Sequence, residues 1–358
     1  MIPNFKNIHL KFKLNGYSYN FNGLKDIAYS YIKEGETYQR EIGNFLLDWL
    51  DDNHEIELQT SGSTGKPKKI NTKKQAMVNS AIATGDFFNL KPGNKVLHGL
   101  PSNYIAGKMM LIRAIILGLE LDTIQPTVNP KIDSAKVYDF CAFTPMQLKN
   151  VVKTIDNIKT VIVGGGQVSK AITDAVQDIN TNIYETYGMT ETVTHIALKK
   201  LNHFEVNKNA HSSYFKTLPN IILSTDYRDC LVIDAPNLSK EKIITNDVVT
   251  LYSETSFDWL GRYDNVINSG GIKLFPEEIE RKLNNKLDQR FFIASKPDDT
   301  LGQKVILVLE GNNNNLDSQI FECLDTYEKP KEIFNIPIFK ETKSGKIQRK
   351  NTINLLNL

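Results

Sequence analysis

Apolar residues recur at helical spacing between Tyr29 and Leu50, where Ile32, Tyr38, Ile42, Phe45, Leu46 and Trp49 precede the acidic pair Asp51–Asp52. That spacing predicts one amphipathic helix. From Glu55 to about Val163 short apolar runs alternate with helical ones. Lys95–Leu100, Asp139–Phe143 and Lys159–Val163 read as strands, and Tyr104–Leu117 as a buried helix. Thr144 stands before Pro145 as a capping hydroxyl before a first-turn proline, and Ser169 can cap the helix that follows Gly164–Gly166. Asn182–Tyr187 returns as a strand. Strands that alternate with helices imply parallel βαβ units.

Ile221–Ser224, Cys230–Ala235 and Val248–Ser253 are β-rich without helices between them, and predict a small antiparallel sheet or barrel attached to the α/β body. Beyond Gly261–Arg262 the pattern changes again. A glycine-turn hairpin from Val266 to Leu274 leads to a helix opening at Pro276, strands at Arg290–Ser295 and Lys304–Glu310, and a helix near Leu316–Tyr327. A lysine-rich loop and a short last helix follow, and Asn312–Asn315 reads as a loop tip. The expected fold is α/β: a large domain of residues 1–262 with its antiparallel subdomain, then a small α+β domain of residues 263–358.

A length of 358 residues suits two domains, and 43 Lys and Arg against 41 Asp and Glu leave a net charge of +2. Nothing in that balance calls for a nucleic acid partner. Cys141, Cys230 and Cys323 lie far apart and form neither a disulfide framework nor a zinc pattern, and the six histidines show no metal spacing. The first residues lack the apolar stretch of a signal peptide. The most apolar window, Met109–Leu121, is interrupted by Arg113 and too short to span a bilayer. A cytoplasmic protein without membrane insertion is expected; homo-oligomerisation is left open.

The densest chemical signal is Thr60-Ser61-Gly62-Ser63-Thr64-Gly65-Lys66-Pro67-Lys68-Lys69. Glycines let backbone N–H groups converge on an anion, hydroxyls donate, and ammonium groups neutralise charge, so phosphate is its natural ligand. It is not G-x-x-x-x-G-K-[ST], because only two residues separate Gly62 from Gly65 and Pro67 holds the hydroxyl position. A solvated Ser/Gly loop would share this composition. At the end of a strand, Tyr184-Glu185-Thr186-Tyr187-Gly188-Met189-Thr190-Glu191-Thr192 offers an aromatic ring for a base, a hydroxyl for a phosphate and a carboxylate for Mg²⁺. Two further segments carry candidate groups: Gly261-Arg262-Tyr263-Asp264 with Ser269-Gly270-Gly271-Ile272-Lys273, and the basic run Lys343-Ser344-Gly345-Lys346-Ile347-Gln348-Arg349-Lys350. Each also has a plain structural reading as an ion pair or a solvated face.

In this order the segments resemble the motifs of the acyl-adenylate-forming superfamily, which includes acyl-CoA synthetases and adenylation domains. The resemblance runs from about Leu58 to Lys350. It implies ATP, Mg²⁺ and coenzyme A as cofactors, and a small carboxylic acid as substrate. It assigns Thr60, Ser61, Gly62, Ser63, Thr64, Gly65 and Lys68 to the ATP phosphates, and Gly164, Gly165 and Gly166 with Tyr187 to the adenine. It places Thr190 at the α-phosphate, Glu191 on Mg²⁺, and Asp247 with Arg262 at the ribose. Asp264 becomes the hinge of a mobile C-terminal domain, Gly270, Gly271 and Lys273 the thiol channel, and Lys346 the catalytic lysine of adenylation.

Local sequence in LPSNYIAGKMMLIRAIILG and FTPMQL resembles the o-succinylbenzoate–CoA ligase group of menaquinone biosynthesis, with Tyr104 where that group has His. The resemblance implies a second carboxylate on the acid, with Tyr104, Lys108, Arg113 and Thr144 as candidate contacts. For Arg113 a helix-surface charge is the equal alternative. An adenylating enzyme that serves a carrier-protein thiol, and a degenerate nucleotide-binding regulator, complete the readings. Two more departures stand out: Asp247 lacks the usual preceding glycine, and the N-terminal region is short.

Overall fold

The computed structural model describes residues 2–59, 69–204, 214–284, 286–287, 289–311, 316–342 and 347–356. The N-terminal region, the least legible in sequence, contributes β1 (Lys13–Leu14), β2 (Tyr17–Ser18) and two helices, α1 (Phe21–Glu34) and α2 (Thr37–Leu50). The single helix expected over Tyr29–Leu50 is therefore two. Gly35 ends the first, its N–H donating to Tyr31 O, and a Glu36/Gln39 capping box starts the second. The two lie side by side, and Ile42, Phe45, Leu46 and Trp49 carry the apolar face of α2 into the core. A short hairpin of β3 (Glu55–Gln59) and β4 (Lys69–Lys73) leads into α3 (Lys74–Phe88).

The βαβ expectation holds through the centre. β5 (Lys95–His98), α4 (Ile105–Leu117), β6 (Glu120–Thr123), β7 (Tyr138–Phe143), α5 (Pro145–Val151), β8 (Ile158–Val163), α6 (Lys170–Ala175) and β9 (Asn182–Gly188) alternate as the pattern asks. Their strands, with β1 at the edge, form a parallel run in the order β1, β6, β5, β7, β8, β9. Both faces are covered, and alternate residues serve opposite cores. Val96, Phe140 and Ile162 pack toward the core that contains α1–α4, while Leu97, Cys141 and Val163 pack toward that of α5 and α6. Thr144 caps α5 in a capping box with Gln147, and Ser169 caps α6. A helix apolar on all sides must be buried on all sides. From Met109 to Ile116 α4 is such a helix, and even its Arg113 is only 2% exposed.

The antiparallel strands expected beside the α/β body are attached to it by direct strand pairing. β10 (His195–Lys200), β11 (Phe215–Thr217), β12 (Ile222–Thr225), β13 (Cys230–Asp234), β14 (Ile243–Ser253) and β15 (Ser256–Arg262) continue the parallel strands in one 13-stranded sheet. The join is β9 with β10, where the chain reverses after Gly188 and pairs antiparallel with itself.

A second sheet of five strands follows: β16 (Ile267–Ser269), β17 (Ile272–Leu274), β18 (Phe291–Asp298), β19 (Gly302–Glu310) and β20 (Glu332–Ile336). α7 (Pro276–Leu283) opens at its proline and packs on β18, with a core of Ile267, Ile279, Leu283, Ile293 and Leu307. The helix expected near Leu316–Tyr327 is only a 3₁₀ segment, Ser318–Cys323, capped by Asp317. The chain becomes extended at Leu324, whose side chain is buried. α8 (Arg349–Ile353) ends the described elements of this part. Asn312–Asn315 lies outside the described residues.

Candidate active site

Gly188 closes the strand that carries Tyr187, and His195 pairs directly with it from β10. A Cβ on residue 188 would overlap Thr194 O and His195 Cα, so only glycine lets the chain fold back so tightly. The intervening turn is strained. Val193 has φ 67° and ψ −57°, and Thr194 N donates to Thr192 O at 2.7 Å. This is the γ-turn form rarely adopted by a β-branched residue. The Thr192 hydroxyl holds the turn, accepting from Met189 N at 3.0 Å and lying 2.7 Å from Thr194 O.

On one side of this turn lies a polar triad. Tyr187 Oη donates to Asp247 Oδ2 at 2.7 Å, and Arg262 Nη1 donates to Asp247 Oδ1 at 3.3 Å. Asp247 and Arg262 are register partners on β14 and β15. Burial and the neighbouring Asp247 carboxylate push the Tyr187 hydroxyl well above its ordinary pKa. Its ring packs edge-on against Phe257 at 5.0 Å. At the end of the neighbouring strand, Gly164 takes the place of any larger residue because a Cβ there would overlap the Thr186 hydroxyl, which donates to Val163 O at 3.1 Å. Gly165 and Gly166 continue that turn. Glu185 borders it: its Oε1 accepts from Val168 N at 3.4 Å, and desolvation raises its carboxyl pKa. Thr190 and Glu191 form a single 3₁₀ turn after Met189, with the Glu191 carboxylate exposed.

On the other side is a cluster built from α3, α4 and β10. The Arg113 Nη2 lies 3.5 Å from His195 Nδ1, and His195 Nε2 lies 3.3 Å from the Thr84 hydroxyl. Burial lowers the Arg113 pKa to about 9, so the guanidinium stays charged at neutral pH. Burial and the adjacent Arg113 charge hold His195 well below the usual imidazole range. Among the described residues no carboxylate pairs with Arg113, and its Nε has no partner. An unpaired buried charge costs several kcal/mol, which makes Arg113 a candidate for holding an anion. His195 also lines a cavity of about 230 Å³ with Ser80, Ala83, Asp86 and Leu218.

The remaining candidates are spread around these two clusters. The Tyr104 ring, at the N-cap of α4, is 46% exposed. Lys108 turns toward α2, its ammonium 4.9 Å from the Phe45 ring centre. Thr144 uses its hydroxyl to accept from Gln147 N at 3.2 Å. Asp264 accepts from Asn246 Nδ2 at 2.8 Å, and Asn246 in turn accepts from Arg228. Gly270 and Gly271 form the turn between β16 and β17, and Lys273 lies 3.8 Å from Asp229. Thr60, Ser61, Gly62, Ser63, Thr64, Gly65, Lys68 and Lys346 lie outside the described residues. No helix among the described residues is long and apolar enough to cross a membrane.

Sequence alone does not single out His195 or Thr84, because their contacts are made only in the folded chain. The Arg113 partner of His195 stands 82 positions earlier, and no local pattern links them.

The AMP-binding enzyme family profile matches residues 58–221. A crystal structure of an acyl-CoA synthetase (AMP-forming)/AMP-acid ligase II-like protein from Dyadobacter fermentans is 35% identical, covering 93% of this chain and 98% of that one, with a TM-score of 0.60. The 2-succinylbenzoate–CoA ligase of Listeria monocytogenes is 26% identical over 320 residues, 82% of this chain and 68% of that protein. The O-succinylbenzoate coenzyme A synthetase of Bacillus subtilis, solved with ATP and magnesium, shares the fold at a TM-score of 0.70 and 18% identity, covering 86% of this chain and 74% of that one.

Proposed function

We propose, from the premise that the chain belongs to the AMP-binding enzyme family and is an AMP-forming acid–thiol ligase, that its acid is 2-succinylbenzoate and its thiol coenzyme A. The observation that carries this reading is Arg113, a buried guanidinium without a carboxylate partner among the described residues. An acid with a second carboxylate, remote from the reacting one, supplies that partner. The names of the curated relatives support the same substrate.

In the proposed reaction the succinyl carboxylate attacks the α-phosphorus of ATP, pyrophosphate leaves, and the thiol sulfur then attacks the acyl carbon of the adenylate to release AMP. Attack of one anion on another demands charge neutralisation and alignment more than covalent participation by the protein. Thr60–Thr64 and Lys68 would hold the phosphates, with Lys346 added during adenylation and Thr190 beside the α-phosphate. Tyr187 and the Gly164–Gly166 turn would hold the adenine. Asp247, oriented by Arg262 and Tyr187, would accept from the ribose hydroxyls.

The residues present fit magnesium. Among the described residues no group of three His, Cys, Asp or Glu side chains gathers, and Glu191 is an exposed single carboxylate beside Thr190. A hard cation that takes most of its ligands from phosphate and water needs little more. Bound there, it supplies positive charge to the phosphates. Residues 263–358 would move as a unit about Asp264, bringing Gly270, Gly271 and Lys273 to a thiol channel for the second step. With three free thiols in the chain, the cytoplasm is the natural compartment.

Arg113→Ala should raise the KM for 2-succinylbenzoate by roughly tenfold or more and leave that for ATP within about twofold, the size of one lost charged hydrogen bond. Steady-state kinetics with each substrate varied in turn measure both. Equal rises in the two constants would sink the assignment.

A further inference from the structure

We infer that His195 is a positioning residue for Arg113, a neutral imidazole locked in one tautomer that steers the guanidinium onto the remote carboxylate of the acid. The inference rests on the reading of Arg113 given above.

The hydrogen-bond chain fixes the tautomer. Thr84 sits inside α3 and its hydroxyl donates to Ser80 O at 3.0 Å. With its proton engaged, the hydroxyl oxygen can only accept from the imidazole, 3.3 Å away. The imidazole proton therefore resides on Nε2, and the Nδ1 lone pair is the atom that meets Arg113 Nη2 at 3.5 Å. A charged imidazole would place two cations together in a buried site, and both burial and Arg113 act against it.

Arg113 has little else to orient it. Its Nη1 reaches only the Met110 sulfur, 3.8 Å away on its own helix, and its Nε meets no partner among the described residues. His195 is thus the polar side chain from another element that touches it. The contact is long, and a weakly held donor keeps its hydrogen-bonding capacity for a ligand. The backbone also invests in this placement. The strained turn at Val193 and the close approach at Gly188 deliver His195 to the underside of α3 and α4, one residue from the Tyr187 strand position. Strain of this kind persists where surrounding structure holds it and is concentrated at functional sites.

The test compares two acids in ATP–pyrophosphate exchange by the full chain: 2-succinylbenzoate, and 4-oxo-4-phenylbutanoate, which lacks the ring carboxylate. His195→Leu removes both hydrogen-bonding atoms at similar size, whereas His195→Gln keeps one acceptor and one donor. The ratio of the diacid KM to the monoacid KM should rise about tenfold or more in His195→Leu and return to within about threefold in His195→Gln. An unchanged ratio in His195→Leu, or a Gln variant no better than Leu, would overturn the positioning role. Should His195→Leu not fold, Thr84→Val serves: loss of the acceptor should raise the same ratio by a smaller factor, and no change counts against the proposal. Arg113→Ala, run alongside, separates the two levels. If it does not discriminate between the acids, the underlying assignment of Arg113 fails; if it does while His195→Leu does not, only the role of His195 fails.

Discussion

Buried His98, like His195, shows what a charge-capable side chain does inside this core. His98 lies at the end of β5, 2% exposed, with Nε2 2.9 Å from the Ser102 hydroxyl and no partner for Nδ1 among the described residues. Burial lowers its pKa to about 4. The unfolded chain, with an ordinary imidazole near 6.5, takes up its proton first as pH falls. Stability from this group is therefore complete above about pH 6.5 and is lost progressively toward pH 4, by roughly 3 kcal/mol in all. Urea unfolding at a series of pH values should show this acid slope, and His98→Gln should flatten it. An identical slope in the variant would show that His98 carries none of the effect. Arg113 is the opposite case, a charge retained despite burial. Its burial was legible in the sequence, because it interrupts a run that is apolar all round and so must be enclosed. The choice between surface charge and ligand was not legible, since it depends on His195 and Thr84, brought together only by tertiary packing.

At the scale of elements, local chemistry carried much of the reading. The Thr144 and Ser169 caps, the Pro276 helix start and the parallel strands each follow from a few adjacent residues. Two elements differ from their expected extent. Gly35 splits one periodic stretch into two helices, and the Ser318–Cys323 segment never lengthens past a 3₁₀ turn. The turn between β9 and β10 could not be foreseen, because the positive φ of Val193 contradicts its own preference and is imposed by the surroundings. Gly188→Ala tests how tightly that turn is built. The added methyl must displace Thr194 and His195, so thermal unfolding should reveal a loss of about 2 kcal/mol or more, within the range for steric insertion into a packed site. A variant with unchanged stability would show that the turn yields easily and that its strain is not needed to place His195.

For the whole molecule, the sequence pattern marks the parallel strands, the antiparallel strands attached to them and the C-terminal strands, but not how the 13-stranded sheet is assembled. β11 pairs with β15 rather than with its chain neighbour β12, and β1 joins beside β6 with β2 outermost. These are pairings over long sequence separation, set by which faces need burying. The result puts the Tyr187–Asp247–Arg262 triad and the Arg113–His195–Thr84 cluster on either side of one strand reversal. The helix α7 that packs on the five-stranded sheet is tied nearby, Arg281 donating to Trp259 O of β15 at 3.2 Å. If the proposed roles hold, a nucleotide site lies beside an anion site, as joining an acid to an α-phosphate requires.

The most direct measurement is ATP–pyrophosphate exchange with Mg²⁺ by the full chain, run across 2-succinylbenzoate, 4-oxo-4-phenylbutanoate, benzoates and fatty acids. The expected result is exchange stimulated chiefly by 2-succinylbenzoate, about tenfold or more above the acid that lacks only the ring carboxylate. Exchange driven equally well by monocarboxylates, or ATP bound with no acid-stimulated exchange, would contradict it.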